Sequence, residues 1–92
     1  MSKPKLLPAR KDAKLPEDYD RYSYSGSLRL YQLGERCEAW KVTKTKQELM
    51  GVGWRTAGDC WGVFCTRVDP VYLVTVSPTL DEAADRFATL FG

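Results

Sequence analysis

Apolar and polar positions alternate in short runs from residue 27 onward, which predicts strands over most of the chain. Residues 27–33 mix leucine and tyrosine with polar side chains, Gly34-Glu35 reads as a turn, and 36–43 alternates polar positions with Cys37, Ala39, Trp40 and Val42. Together these predict a hairpin, although Cys37, Trp40 and Lys41 also fit a helical spacing. Thr45 and Glu48 have the spacing of a capping box and Gly51 has the form of a helix stop, so a short helical turn is expected over 45–50. Residues 52–56 and 60–68 then flank Ala57-Gly58-Asp59, a tight-turn composition, and Asp69-Pro70 separates the second run from 71–76. That last run, Val-Tyr-Leu-Val-Thr-Val, is β-branched and nearly all apolar, the composition of a strand covered on both faces or placed centrally in its sheet. Gly53 and Gly62 interrupt their strands and mark a bulge or a close approach of backbone.

The pattern changes period after Pro78. Thr79 and Glu82 form a second capping box, and Leu80, Ala83, Ala84, Phe87, Ala88 and Phe91 recur at the spacing of an amphipathic helix. Its stripe calls for a sheet face to cover, with Asp81, Glu82, Asp85 and Arg86 left toward solvent; Asp81 and Glu82 also complement the helix dipole. The expected fold is α+β: an antiparallel sheet of four to five strands with one C-terminal helix packed across it and a flexible N-terminal arm.

The arm is residues 1–16. Lys3, Lys5, Arg10, Lys11 and Lys14 stand against Asp12 alone, and Pro4, Pro8 and Pro16 prevent a helix. Glu17, Asp18 and Asp20 follow and locally oppose that charge. Residues 17–92 then form a single domain, since 92 residues bury roughly two-thirds of their unfolded surface, enough for one modest core. A net charge of +2 gives little long-range field, so nucleic-acid binding would need a local basic patch. No run approaches the roughly 20 apolar residues of a membrane span, and the N-terminus has no apolar signal segment, so the expected location is cytoplasmic, away from membranes. Three cysteines, Cys37, Cys60 and Cys65, fit reduced and mostly buried thiols better than a disulfide framework.

Candidate chemistry narrows the picture mainly by exclusion. Histidine is absent, no Cys-x-x-Cys pair or phosphate-cradling glycine loop occurs, and Asp59 beside Cys60 opposes thiolate formation. The expectation is therefore a non-enzyme with no catalytic residue, no metal, no cofactor and no small-molecule substrate. What remains is recognition. Residues 18–31 read Asp-Tyr-Asp-Arg-Tyr-Ser-Tyr-Ser-Gly-Ser-Leu-Arg-Leu-Tyr, a run of tyrosines set among arginines and small residues. Tyrosine offers broad amphipathic contact at low entropic cost, and arginine supplies planar donors. The expected partner-binding residues are Tyr19, Arg21, Tyr22, Tyr24 and Arg29, with Lys11 and Lys14 from the arm; Trp54 and Trp61 belong either to the core or to the rim. Tyr22 and Tyr24 share a face if their stretch is extended, whereas Tyr31 has the opposite parity and joins them only if Gly26 breaks the register.

The partner expected first is a protein. The second reading is a nucleic acid, with sheet aromatics stacking on bases and the arm, Lys41, Lys44 and Lys46 neutralising phosphates. In size, α+β make-up and lack of a catalytic motif, the chain resembles phage and mobile-element proteins that block host machinery, anti-CRISPR proteins among them. That resemblance implies a stoichiometric inhibitor. The order of three strands and a helix over 52–91 is similar to that of small β-sheet DNA readers such as the arm-binding domains of phage integrases. This second resemblance lies in element order alone and carries no site residue.

Overall fold

The computed structural model describes residues 7–8 and 14–91. Six strands follow in chain order, β1 (Arg21–Ser25), β2 (Leu28–Leu33), β3 (Arg36–Val42), β4 (Gln47–Arg55), β5 (Trp61–Cys65) and β6 (Tyr72–Ser77), and then one helix, α1 (Leu80–Phe91). The strands form a single antiparallel sheet in which neighbours in sequence are neighbours in space. The α+β class and the C-terminal helix are as the sequence predicts. Among the described residues the strand count is six, because the tyrosine stretch adds an edge strand, β1; the expected helical turn is absent and β4 extends back to Gln47 instead.

Local chemistry explains both hairpins at the start. Ser25 pairs with Leu28 and Leu33 with Arg36, leaving two-residue loops. Gly26 has a φ of 60° and Gly34 of 69°, while Ser27 and Glu35 do not enter the positive-φ region, which is the requirement of a type II′ turn. At 45–50 the sequence expectation fails. Thr43, not Thr45, organises the turn: its hydroxyl accepts the Lys46 N–H at 3.2 Å, and its own N–H donates to the Lys46 carbonyl at 2.9 Å. One helical turn gains few hydrogen bonds for the torsions it fixes, whereas the extended chain joins ladders with both β3 and β5.

α1 begins as predicted, with the Thr79 hydroxyl accepting the Glu82 N–H at 3.2 Å. It lies against β1 and β2 at one end of the sheet and against β5 and β6 at the other. Six strands laid flat would place the two edges about 24 Å apart, roughly twice the width of a helix. The sheet is therefore curled around α1. The core fills the concave side: Leu28, Leu30, Cys37, Ala39, Met50, Trp61, Val63 and Cys65 meet Leu80, Ala83, Ala84, Phe87 and Phe91.

Two glycines of β4 stand where a side chain has no room. A Cβ on Gly53 would stand 2.6 Å from the Gly62 carbonyl and 2.8 Å from the Cys37 sulfur, and one on Gly51 would collide with the Phe64 carbonyl. Gly51 is therefore not a helix stop but a mid-strand residue where β4 and β5 approach too closely for any side chain. Of the arm, Leu7 is held on the β5–β6 loop: its N–H donates to the Arg67 carbonyl, and the Arg67 guanidinium donates to the Leu7 carbonyl at 2.6 and 2.8 Å. The rest of residues 1–13, Lys11 included, lies outside the described residues apart from Pro8.

Candidate functional site: the convex face

With α1 filling the concave side, the outward side chains of the strands form a convex face without a helix over it. Cross-strand register fixes its rows. Tyr22, Tyr31, Glu38, Val52, Phe64 and Leu73 follow one another across the whole sheet. Beside them run Tyr24, Arg29, Trp40 and Leu49 on one side, and Leu33, Arg36, Trp54, Gly62 and Val76 on the other.

At the β1–β2 end the tyrosines form one cluster. Tyr31 sits at its base, 5% exposed, with the Tyr22 ring 5.7 Å away and the Tyr19 ring edge-on at 4.9 Å. Tyr19 also meets Tyr22 edge-on at 5.8 Å, and Tyr22 lies 6.3 Å from Tyr24. These separations are those of favourable aromatic pairs. The three outer rings keep much of their surface in solvent, with Tyr19 44%, Tyr22 48% and Tyr24 69% exposed. Asp20 positions the segment: its N–H donates to the Gln32 carbonyl and its carboxylate accepts the Gly34 N–H, both at 2.8 Å. An acidic residue read in the sequence as opposing the basic arm thus fixes Tyr19 over Tyr31.

Arg29 stands directly across from Tyr24 and reaches toward the Tyr31 oxygen at 3.4 Å. That hydrogen bond chiefly holds its pKa above the ordinary arginine value, with desolvation acting in the other direction. A permanently charged planar donor therefore borders the tyrosine cluster.

The structure gathers Tyr19, Tyr22, Tyr24 and Arg29 on one surface and places Tyr31 beneath Tyr19 and Tyr22. By parity Tyr31 joins Tyr22 only if Gly26 breaks the register, and it does: the Gly26 turn folds β1 onto β2 so that the two residues pair directly. Arg21 points to the other side of the sheet. It lines a cavity of about 260 Å³ with Arg55, Trp61 and the first residues of α1. Lys14 is exposed and belongs to no element, and Lys11 lies outside the described residues.

Sequence reasoning left the far end of the face unassigned. Trp54, 51% exposed, stands edge-on to Phe64 at 6.1 Å, and Leu73 and Val76 continue the apolar surface to β6. Trp61 is the core tryptophan, 3% exposed, with the Arg55 guanidinium 5.2 Å above its ring. The signal separating the two was strand parity: Trp54 follows Gly53, whose own position faces inward against Cys37. Trp40 is on the convex side yet only 2% exposed, and its indole N–H donates to Glu38 at 3.1 Å.

Titratable groups elsewhere point to packing. Burial, with the Glu38 carboxylate adding to it, pushes the Cys37 thiol up to about 12, and burial also raises Cys65. Both are poor nucleophiles at neutral pH. Among the described residues no three cysteines or carboxylates cluster to hold a metal ion, and no helix is long and apolar enough to cross a membrane. No protein-family model, curated protein or solved structure matches the chain, so the face is read from its geometry.

Proposed function

We propose that this chain is a non-catalytic, cytoplasmic protein-binding module that acts stoichiometrically, as an inhibitor does by occupying a partner's surface, with the tyrosine end of the convex face as its contact. The observation that carries this reading is the exposed rings of Tyr19 and Tyr22 held on the buried Tyr31, with the exposed Tyr24 ring beside Tyr22. Rings supported in this way lose little freedom on binding, and tyrosine and arginine are the residues that anchor interfaces. At about 150–250 Å² per aromatic side chain, the exposed parts of Tyr19, Tyr22 and Tyr24 come to roughly 300 Å². A patch of that size approaches the largest on ordinary monomers, which is often functional, and covers over a third of one partner's share of a standard interface.

Charge favours a protein over a nucleic acid. Among the described residues the convex strand positions carry Arg29 and Arg36 as cations, with Arg36 lying 4.0 Å from Glu38. Lys41 stands opposite Leu28 and Glu48 on the other side. Binding a phosphate backbone calls for on the order of six to ten cationic contacts.

The test compares the wild type with Tyr22→Ala, Tyr24→Ala and the double variant. A partner captured from host lysate is purified and recombined with the chain. The expected result is a complex of fixed stoichiometry that each single change weakens roughly 30-fold, the effect of removing about 2 kcal/mol of anchoring, with the thermal unfolding transition unchanged. Unaltered affinity in the double variant would sink the proposal. So would tight retention on DNA or RNA that falls steeply with salt, which is the behaviour of the nucleic-acid reading.

A further inference from the structure

β6 ends the sheet: it pairs with β5, and among the described residues no strand lies on its other side. Alternate N–H and C=O groups along it therefore point away from the ladder, a template for another strand. Edge strands are ordinarily guarded by charge, and the opposite edge begins with Arg21. β6 carries no charged residue, the nearest in sequence being Asp69 and Asp81. Val71, Tyr72, Leu73 and Val76 are each about half exposed, so apolar surface is open on both sides of the strand. Its composition is that of an interior strand, but its position is at the edge.

A bulge makes this edge self-complementary. The β5–β6 register shifts between Val63 and Phe64, so that Val74 is an extra residue. Tyr72 and Ser77 then face the helix side, the first against Phe91 and the second buried opposite Trp61, while Leu73 and Val76 face the convex side. Val74 packs against the core, and Thr75 stands opposite Val63. From residue 72 to 77 the order is in, out, in, in, out, in. That order is the same in both directions about the Val74–Thr75 bond. A two-fold axis there sets Leu73 opposite Val76 of a second molecule, and every other facing pair also matches side for side. In an unbulged strand the same axis would oppose inward to outward residues.

We propose that β6 pairs antiparallel with β6 of a second copy of this chain, giving a two-fold dimer whose sheet is continuous across the axis. Pairing neutral apolar strands brings no like charges together, and it satisfies the outward backbone groups of both. A single strand edge buries less than the about 800 Å² per partner of a standard interface, so dimer and monomer exchange and concentration decides between them.

The test is sedimentation of the full chain over a wide concentration range, under reducing conditions so that Cys60 forms no cross-link. The mass is expected to rise from the 10.5 kDa of one chain toward twice that value, while alternate β6 amides gain hydrogen-exchange protection as concentration rises. Val76→Lys should keep the fold and hold the mass at 10.5 kDa throughout, whereas Tyr24→Ala should dimerise as the wild type does. A wild type that stays monomeric at every concentration overturns the proposal, as does a dimer that persists in Val76→Lys. If Val76→Lys does not fold, the wild-type amides decide: β6 protection independent of concentration overturns the pairing. A dimer lost in Tyr24→Ala without added β6 protection would place the contact on the tyrosine face instead and likewise refute it.

Discussion

Tyr31 and Tyr24 belong to the same cluster but do different work. Tyr31 is the base on which the others rest, 5% exposed, while Tyr24 is 69% exposed. Tyr31→Ala should therefore cost about 3 kcal/mol of stability, by removing a large buried ring and the support of Tyr19 and Tyr22, whereas Tyr24→Ala should stay within about 0.5 kcal/mol of wild type. Urea titrations of the two variants check the contrast. Composition alone could not assign these roles, because burial depends on which ring the segment around Asp20 brings down on top.

Cys37 provides a second prediction at this scale. Its thiol is raised from the ordinary value of 9.0 to about 12 in the folded protein, chiefly by burial. The folded state therefore holds its proton more tightly than the unfolded chain. The stability linked to that proton is fully present below pH about 9 and is lost as pH rises toward about 12, with a limiting slope of about 1.4 kcal/mol per pH unit. Urea midpoints measured at increasing alkaline pH should fall more steeply for the wild type than for Cys37→Ala. Equal slopes would show that Cys37 contributes no linkage.

At the level of elements, β4 is where the local reading and the fold part. The sequence offers Thr45, Glu48 and Gly51 as helix start and stop, but Thr43 organises the turn and residues 47–55 are extended. Gly51 and Gly53 are needed because β4 and β5 come so close there that a Cβ has no room. Gly53→Ala should cost about 2 kcal/mol or more, as overpacking against the Gly62 carbonyl and the Cys37 sulfur forces backbone to move. Gly58→Ala is the matched control, since nothing lies within 4 Å of a Cβ built there and its φ is not in the left-handed region. A melting comparison in which both variants behave alike would refute this account of Gly53. β6 is the converse case: an apolar, β-branched run predicts a strand covered on both faces or placed centrally, but strand order places it last and Tyr72, Leu73 and Val76 stay exposed. Nothing local to a strand states how many neighbours it will have.

For the whole molecule, α1 closes the curled sheet by touching both of its ends. Phe87 is fully buried between them, with its ring 5.3 Å from that of Phe91. Phe87→Ala should destabilise the protein by about 3–5 kcal/mol and loosen β1 and β6 together, because both edges pack on the one helix. Hydrogen exchange of the two strands in the variant tests the coupling; loss of protection in β6 alone would contradict it. Contact between Leu7 and Arg67 ties the arm to the same body from the β5–β6 loop.

The class of fold, the C-terminal helix with its Thr79 cap, most of the turns and the tyrosine-rich segment were legible in the order of residues alone. These are fixed by local quantities: hydrophobic period, the φ that glycine permits and hydrogen bonds between near neighbours. That β4 reaches back through residues 47–51, that the sheet curls, that Tyr31 lies beneath Tyr19 and Tyr22, and that β6 stands at an edge came only with the assembled fold. Each of those depends on pairing and packing between residues far apart in the chain, whose energies exceed local propensity and leave no trace in a window of sequence.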